Sequence, residues 1–206
     1  MAAEQKARKA GPSHGRVSAM FKRLGDPKNA RASWYKPWSK GPVNTTFEPW
    51  DGFDRGLEAL GAKLMFDPVR NVAAYNPYAD HLVMPPGSHF LEQKGYSATQ
   101  AYYYALGHEL THWSGHYSRL NRKLVTNPQT REELDLYARE EMVAEATALL
   151  ILAETGRLPT DISNHAKYFQ NWHMATINRA EAMDYAMDEA QRAASFILAA
   201  VNTTHD

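Results

Sequence analysis

The run Tyr102-Tyr-Tyr-Ala-Leu-Gly-His108-Glu109-Leu-Thr-His112-Trp113 decides how this chain is read. Ser97, a good N-cap residue, precedes it and predicts a helix over 98–115. Residues four apart lie on one face of a helix, so His108 and His112 project one turn apart and can reach a single metal ion. Glu109 sits about 100° round the same helix, where a carboxylate touches a metal-held water without binding the metal itself. This pattern of residue types points to a catalytic metal, with Zn²⁺ as the expected cofactor.

A catalytic zinc takes three protein ligands and keeps a fourth position for water, so a third donor is expected on another element. Tyr137-Ala-Arg-Glu-Glu-Met-Val-Ala-Glu145-Ala-Thr-Ala-Leu-Leu-Ile-Leu-Ala153 supplies the candidates. Glu145 is the only charged residue between Met142 and Ala153, and burying an unpaired carboxylate costs on the order of several kcal/mol. Glu141 lies one turn earlier on the same face. Two carboxylates at this spacing repel one another unless a cation or polarised donors stand between them. The economical assignment makes Glu141 the third ligand and Glu145 an acceptor for the outer N–H of His108 or His112. Glu140 competes with Glu141 for the ligand position, although Arg139 and Glu140 also continue the polar face of an ordinary amphipathic helix.

The neighbouring polar residues have plainer readings. His116 directly follows Gly115, the wrong spacing for a further ligand histidine, and reads as a hydrogen-bonding residue at the helix exit beside the site. His165 and His173 read as structural histidines, with donation to a transition-state oxyanion as the alternative. Two of Tyr102, Tyr103 and Tyr104 are expected in the core rather than along a cleft. Arg119, Arg122 and Lys123 form a basic patch that caps helix ends or holds a neighbouring acid.

Working outward, Asp54–Leu60 predicts a helix stopped by Gly61. Lys63–Phe66, Val72–Tyr75 and His81–Met84 predict strands, the last two joined as a hairpin by the turn chemistry of 76–80. Helices are expected over 131–155, closed by Gly156, and over 163–177 and 179–201. A small, mostly antiparallel sheet followed by a helical bundle is an α+β arrangement. Residues 51–206 form this body. Residues 1–50 form a basic arm containing Pro and Trp, expected to be disordered over 1–15 and weakly helical over 16–24.

The chain has 206 residues and a formal net charge of zero, but the zero conceals an asymmetry. Residues 1–40 carry ten basic and two acidic side chains, +8, whereas the remainder carries 13 basic and 21 acidic ones, −8. A basic arm interleaved with Trp34, Tyr35 and Trp38 has the composition that contacts nucleic acid, and its alternative is a solvated tail with aromatics packed on the body. The absence of cysteine removes disulfides, thiolate metal sites and cysteine nucleophiles. No apolar run is long enough to span a membrane, and the N-terminus lacks a secretory signal's apolar segment, so a cytoplasmic chain is expected.

The ordered blocks His108-Glu-Leu-Thr-His-Trp-Ser-Gly-His116, Ser118-Arg-Leu-Asn-Arg122 and Tyr137-Ala-Arg-Glu-Glu-Met-Val-Ala-Glu145 resemble the zincin-like metallopeptidase domain of ArdC-type antirestriction proteins. The resemblance extends from about Gly56 to Val201 and includes Tyr75–Pro86, His165–Trp172 and Asp188-Glu-Ala-Gln-Arg192. It implies a zincin-like fold and a zinc endopeptidase with a two-His, one-Glu site, carried by a phage or mobile element. Such an enzyme is expected to act on host or element proteins, in antirestriction or counter-defence. The family's site carries over onto His108, Glu109, His112 and Glu141. Members of the family also place a single-stranded-DNA-binding domain before the peptidase domain. Some 50 residues precede the body here, fewer than that domain needs, so the resemblance does not extend to DNA binding.

The expected chemistry is hydrolysis of a peptide bond. Zinc lowers the pKa of a water towards about 7, Glu109 takes its proton, and Glu109 returns the proton to the leaving amine. The rival reading is a single-stranded-DNA-associated antirestriction factor whose metal site is structural or vestigial.

Overall fold

The computed structural model describes residues 38–43, 46–67, 69 and 72–202. Within them the chain runs α1 (Asp51–Ala59), β1 (Lys63–Phe66), β2 (Ala74–Asn76), β3 (His81–Met84), a 3-10 turn at Gly87–His89, α2 (Ala98–Ser114), α3 (Arg131–Glu154), α4 (Ser163–Ala175) and α5 (Arg179–Asn202). The predicted helix over 16–24, Trp34, Tyr35 and nearly all of the basic arm lie outside the described residues.

Local chemistry sets the helix ends. Ser97 and Gln100 form a capping box at the start of α2, and Thr130 and Glu133 form another at the start of α3. Gly61 and Gly156 take left-handed φ angles of 69° just beyond α1 and α3, a conformation that glycine adopts without a Cβ clash. α1 starts three residues before the sequence suggests, because Asp51 and Asp54 both favour its first turn.

The sheet is mixed, not mostly antiparallel. Its order is β1-β3-β2. β2 and β3 pair antiparallel, Tyr75 opposite Leu82, as the hairpin expectation requires. Asn76 Oδ1 accepts from the N–H groups of Tyr78 and Ala79 at 3.0 and 3.1 Å and so builds the turn. β1 instead lies parallel to β3 on its other side. The tight turn commits β2 to β3, so the longer link after Phe66 leaves β1 the remaining edge.

α3 is the central helix and packs on α2, α4 and α5. Its residues 140–152 are buried without interruption, which is the pattern of a helix enclosed on all sides. Trp38, Phe47 and Trp50 pack against the same core, so the aromatics of the described arm wrap onto the body. Trp50 contacts Phe53 and Tyr103, with ring centroids 5.0 and 5.4 Å apart. Tyr102, Tyr103 and Tyr104 are all buried. No helix of the described residues is long and apolar enough to cross a membrane.

Gly56 lets α1 approach α5. A Cβ there would lie 2.6 Å from a Val201 methyl group and 2.8 Å from the Val201 Cα. Gly56→Ala should therefore lower stability by about 1–3 kcal/mol in urea unfolding through overpacking. An unchanged unfolding midpoint would show that the helix pair gives way freely.

Candidate metal centre

α2 and α3 pack face to face and bring together residues that are some thirty positions apart in the chain. His108 Nε2 lies 3.6 Å from Glu141 Oε2, and His112 Nε2 lies 3.7 Å from Glu141 Oε1. One ligand atom from each of His108, His112 and Glu141 falls within 4.8 Å of the others, the separation at which one ion can be shared. Around a tetrahedral ion with bonds of about 2.1 Å, ligand atoms stand about 3.4 Å apart, close to the separations found here.

The outer ring nitrogens are held as well. His112 Nδ1 is 3.1 Å from Glu140 Oε1, and His108 Nδ1 is 3.5 Å from Glu145 Oε2. Each imidazole thus presents Nε2 inward and Nδ1 to a carboxylate, an arrangement that fixes ring orientation and tautomer. Glu140, which competed with Glu141 in the sequence, faces the back of His112. Glu145 also receives His165 Nδ1 at 3.1 Å. His165 is therefore buried behind His108 instead of facing the cleft, and His173 bonds the Arg179 carbonyl with Nε2. His116 stays at the helix exit, bonded to Ser118 and packed on Tyr117.

Several members of the constellation had no sequence signal. The backbone N–H of Tyr75 donates to Glu109 Oε2 at 2.9 Å. That leaves Oε1 of Glu109 without a protein hydrogen bond among the described residues. The Tyr168 hydroxyl donates to Glu141 Oε2 at 2.9 Å. Tyr137, one turn before Glu141 on α3, lines the cleft, and its position could have been read from the i, i+4 spacing. The cleft encloses about 250 Å³. β2 forms one wall, residues 124–126 and Tyr137 form another, and His108, Glu109, His112 and Glu141 form the floor.

The basic patch after α2 resolves into two acid holders. Arg122, buried, donates from Nε and Nη2 to the two oxygens of Glu140 at 2.8 and 2.9 Å. Its Nη2 also reaches the Thr111 carbonyl at 2.5 Å, so the same side chain caps the end of α2. Arg119 holds Asp80 in the same forked manner.

Four carboxylates, those of Glu109, Glu140, Glu141 and Glu145, converge here against one guanidinium. Burial by itself would raise the pKa of Glu141, but hydrogen bonding from His108 and the charges of both histidines hold it at about 2. Burial would likewise lower His108, yet its bonds to Glu141 and Glu145 push it well above the ordinary histidine range. The cluster therefore recruits positive charge. The donor set and its separations fit a divalent cation.

Against this geometry, the comparisons with known proteins are specific. The sequence profile of a family described as zincin-like metallopeptidase (MPTase-PolyVal) matches residues 52–187, which include the whole cluster. The chain belongs to this family. It is 30% identical over 155 residues to a DNA primase TraC of Escherichia coli, covering 74% of this chain and 10% of the primase. It is 32% identical over 125 residues to the uncharacterized protein y4eC of Sinorhizobium fredii, covering 61% of this chain and 38% of that protein. Among solved structures, the Mn(II)-bound antirestriction protein ArdC of plasmid R388 is 30% identical with a TM-score of 0.57, over 75% of this chain and 53% of ArdC. Metal-free ArdC is 27% identical with a TM-score of 0.54. The chain thus spans a small part of the primase and about half of ArdC. The α+β, zincin-like architecture expected from the sequence is the one found.

The Arg122–Glu140 pair yields a stability prediction whose sign follows from the carboxyl group. Burial raises the pKa of Glu140, but its bonds from His112 and Arg122 prevail and hold it below the ordinary 4.5. Its stabilisation is therefore present above pH 4.5 and is lost as pH falls through the lower folded value. Arg122→Met should cost about 3 kcal/mol at neutral pH by leaving the buried Glu140 charge with His112 as its partner and no guanidinium. The gap from wild type, read by denaturant unfolding of metal-free protein, should close as the pH drops below the carboxylate range. A gap independent of pH would refute the pairing.

Proposed function

We propose that this chain is a divalent-metal-dependent peptidase domain, with zinc as the working ion, in which His108, His112 and Glu141 hold the metal and Glu109 is the general base. The observation that carries the reading is the convergence of the two Nε2 atoms and the Glu141 carboxylate beside Glu109, on the floor of an open cleft. A bound cation supplies Lewis acidity toward water and a peptide carbonyl.

The protein's own groups do the rest. The Tyr75 N–H fixes one oxygen of Glu109 and leaves the other to accept a proton from water and deliver it to the leaving amine. Glu140 and Glu145 orient the two imidazoles from behind. Tyr137 lines the cleft with its hydroxyl bonded toward Glu141, a neutral donor beside the proposed ligand carboxylate. Burial first, and then the Glu141 carboxylate, push its pKa above the ordinary tyrosine value, so it stays a donor at neutral pH.

A peptide suits the cleft for a backbone reason. β2 is an edge strand, and Tyr75 turns its N–H away from β3 and into the site. An extended chain laid along that edge would run past Glu109, as strands add to open sheet edges elsewhere. The likeness to antirestriction ArdC supports a setting on a mobile element, with a host or element protein as substrate.

Glu109→Gln should retain a full equivalent of zinc while hydrolysis of a proteome-derived peptide library falls by about 10³-fold or more. Survival of the activity would remove Glu109 as the base. Loss of the metal would make Glu109 a ligand. The ligand assignment has a separate check in metal affinity by chelator competition. Glu140→Ala and Glu145→Ala should each weaken zinc binding about 10–100-fold, and Glu141→Ala should weaken it more than either. If Glu140→Ala proved the most damaging, the ligand would be Glu140.

A further inference from the structure

Tyr75 is gripped at both ends. Its backbone N–H donates to Glu109 at 2.9 Å, while its hydroxyl donates to Asp80 Oδ1 at 2.8 Å and accepts from Arg119 Nη2 at 3.2 Å. Arg119 in turn forks onto Asp80, Nη1 to Oδ2 at 3.0 Å and Nη2 to Oδ1 at 2.5 Å. The same guanidinium is tied to the last turn of α2: its Nε donates to the Trp113 carbonyl at 2.6 Å, and it lies 3.8 Å above the Trp113 ring. Planar bidentate pairing combined with stacking is a geometry specific to arginine.

Asp80 closes the turn between β2 and β3 with a φ of +46°, a left-handed conformation that aspartate tolerates in turns, and both of its carboxylate oxygens are engaged by Arg119. Those hydrogen bonds hold the Asp80 carboxyl below the usual range. β2 has only three paired residues with β3, so its placement relative to α2 needs support of this kind.

We propose that Asp80, Arg119 and the Tyr75 hydroxyl form a clamp that positions Glu109. It fixes strand β2 to the end of α2, so that the Tyr75 N–H meets the Glu109 carboxylate at a set place. These are positioning residues: they act on the base through Tyr75 and do not touch the reacting atoms. The inference rests on the peptidase reading only for its catalytic consequence, because the clamp itself is a geometric statement.

The test uses the full chain loaded with zinc and two readouts. Amide hydrogen exchange followed by NMR reports the Tyr75 N–H, with Glu109→Ala as the reference for complete release. Arg119→Gln should speed Tyr75 exchange about tenfold or more, while the amides of Leu106 and Leu110 and the zinc content stay at wild-type values. Tyr75→Phe, a gentler change, should give a smaller rise in the same direction. Arg119→Lys should restore little, because a point charge cannot reproduce the fork.

In peptide hydrolysis the same variants should lose about 10–100-fold in kcat with KM nearly unchanged, as expected for a misplaced base. Unchanged Tyr75 exchange in both Arg119→Gln and Tyr75→Phe would overturn the clamp, and full restoration by lysine would overturn the role of the fork. Absence of any wild-type hydrolysis would count against the peptidase reading alone, since exchange at Tyr75 still decides the clamp.

Discussion

Glu141 stands 3.6 and 3.7 Å from the inward nitrogens of two histidines, in the middle of a buried helix pair. Much of the structure follows from what that placement demands. A carboxylate out of water must be compensated, and Glu140 and Glu145 add two more buried acids within one turn of the same helix. The histidines, Arg122 and Tyr168 each sit where a charge or hydrogen bond is needed, and a shared cation would complete the compensation. The uninterrupted burial of 140–152 encloses the site's back, and β2 and residues 124–126 wall the cleft in front of it.

Support for the site comes in layers that run through different elements. α2 contributes both histidines and Glu109, α3 contributes all three other acids, and α4 contributes His165 and Tyr168 behind them. The segment after α2 returns twice, Arg122 reaching Glu140 and Arg119 reaching Asp80. A segment that reads in sequence as a basic patch capping helix ends or holding a neighbouring acid thus fastens the helix pair on one side and the cleft's strand wall on the other. The acidic excess of the body, −8 outside the first forty residues, is in part the charge of this cluster.

How much of this the sequence disclosed depends on the kind of interaction. Periodicity and spacing revealed whatever lies on one element: the paired faces of His108 and His112, the lone buried Glu145, the caps at Ser97 and Gly156. They also ranked Glu141 above Glu140, because one-turn spacing to Glu145 is a helical property. What they could not give were contacts between elements. Whether β1 runs parallel or antiparallel to β3 depends on the path of the chain between them, and no residue of Lys63–Phe66 encodes that. The Tyr75 N–H is a backbone donor, identical in every residue but proline, so nothing marked it as a partner for Glu109. The histidines at 165 and 173 carried an open alternative for a similar reason: residue type names a donor but not the direction in which it points.

The central claim is that His108, His112 and Glu141 share one divalent ion, and X-ray absorption at the metal edge of the zinc-loaded protein tests it most directly. The account predicts a shell of two imidazole nitrogens at about 2.0–2.1 Å and one carboxylate with water at about 2.0–2.2 Å. Glu141→Ala should reduce the carboxylate contribution, and Glu140→Ala should leave it in place. A shell lacking imidazole, or one whose carboxylate disappears with Glu140 and not with Glu141, would contradict it.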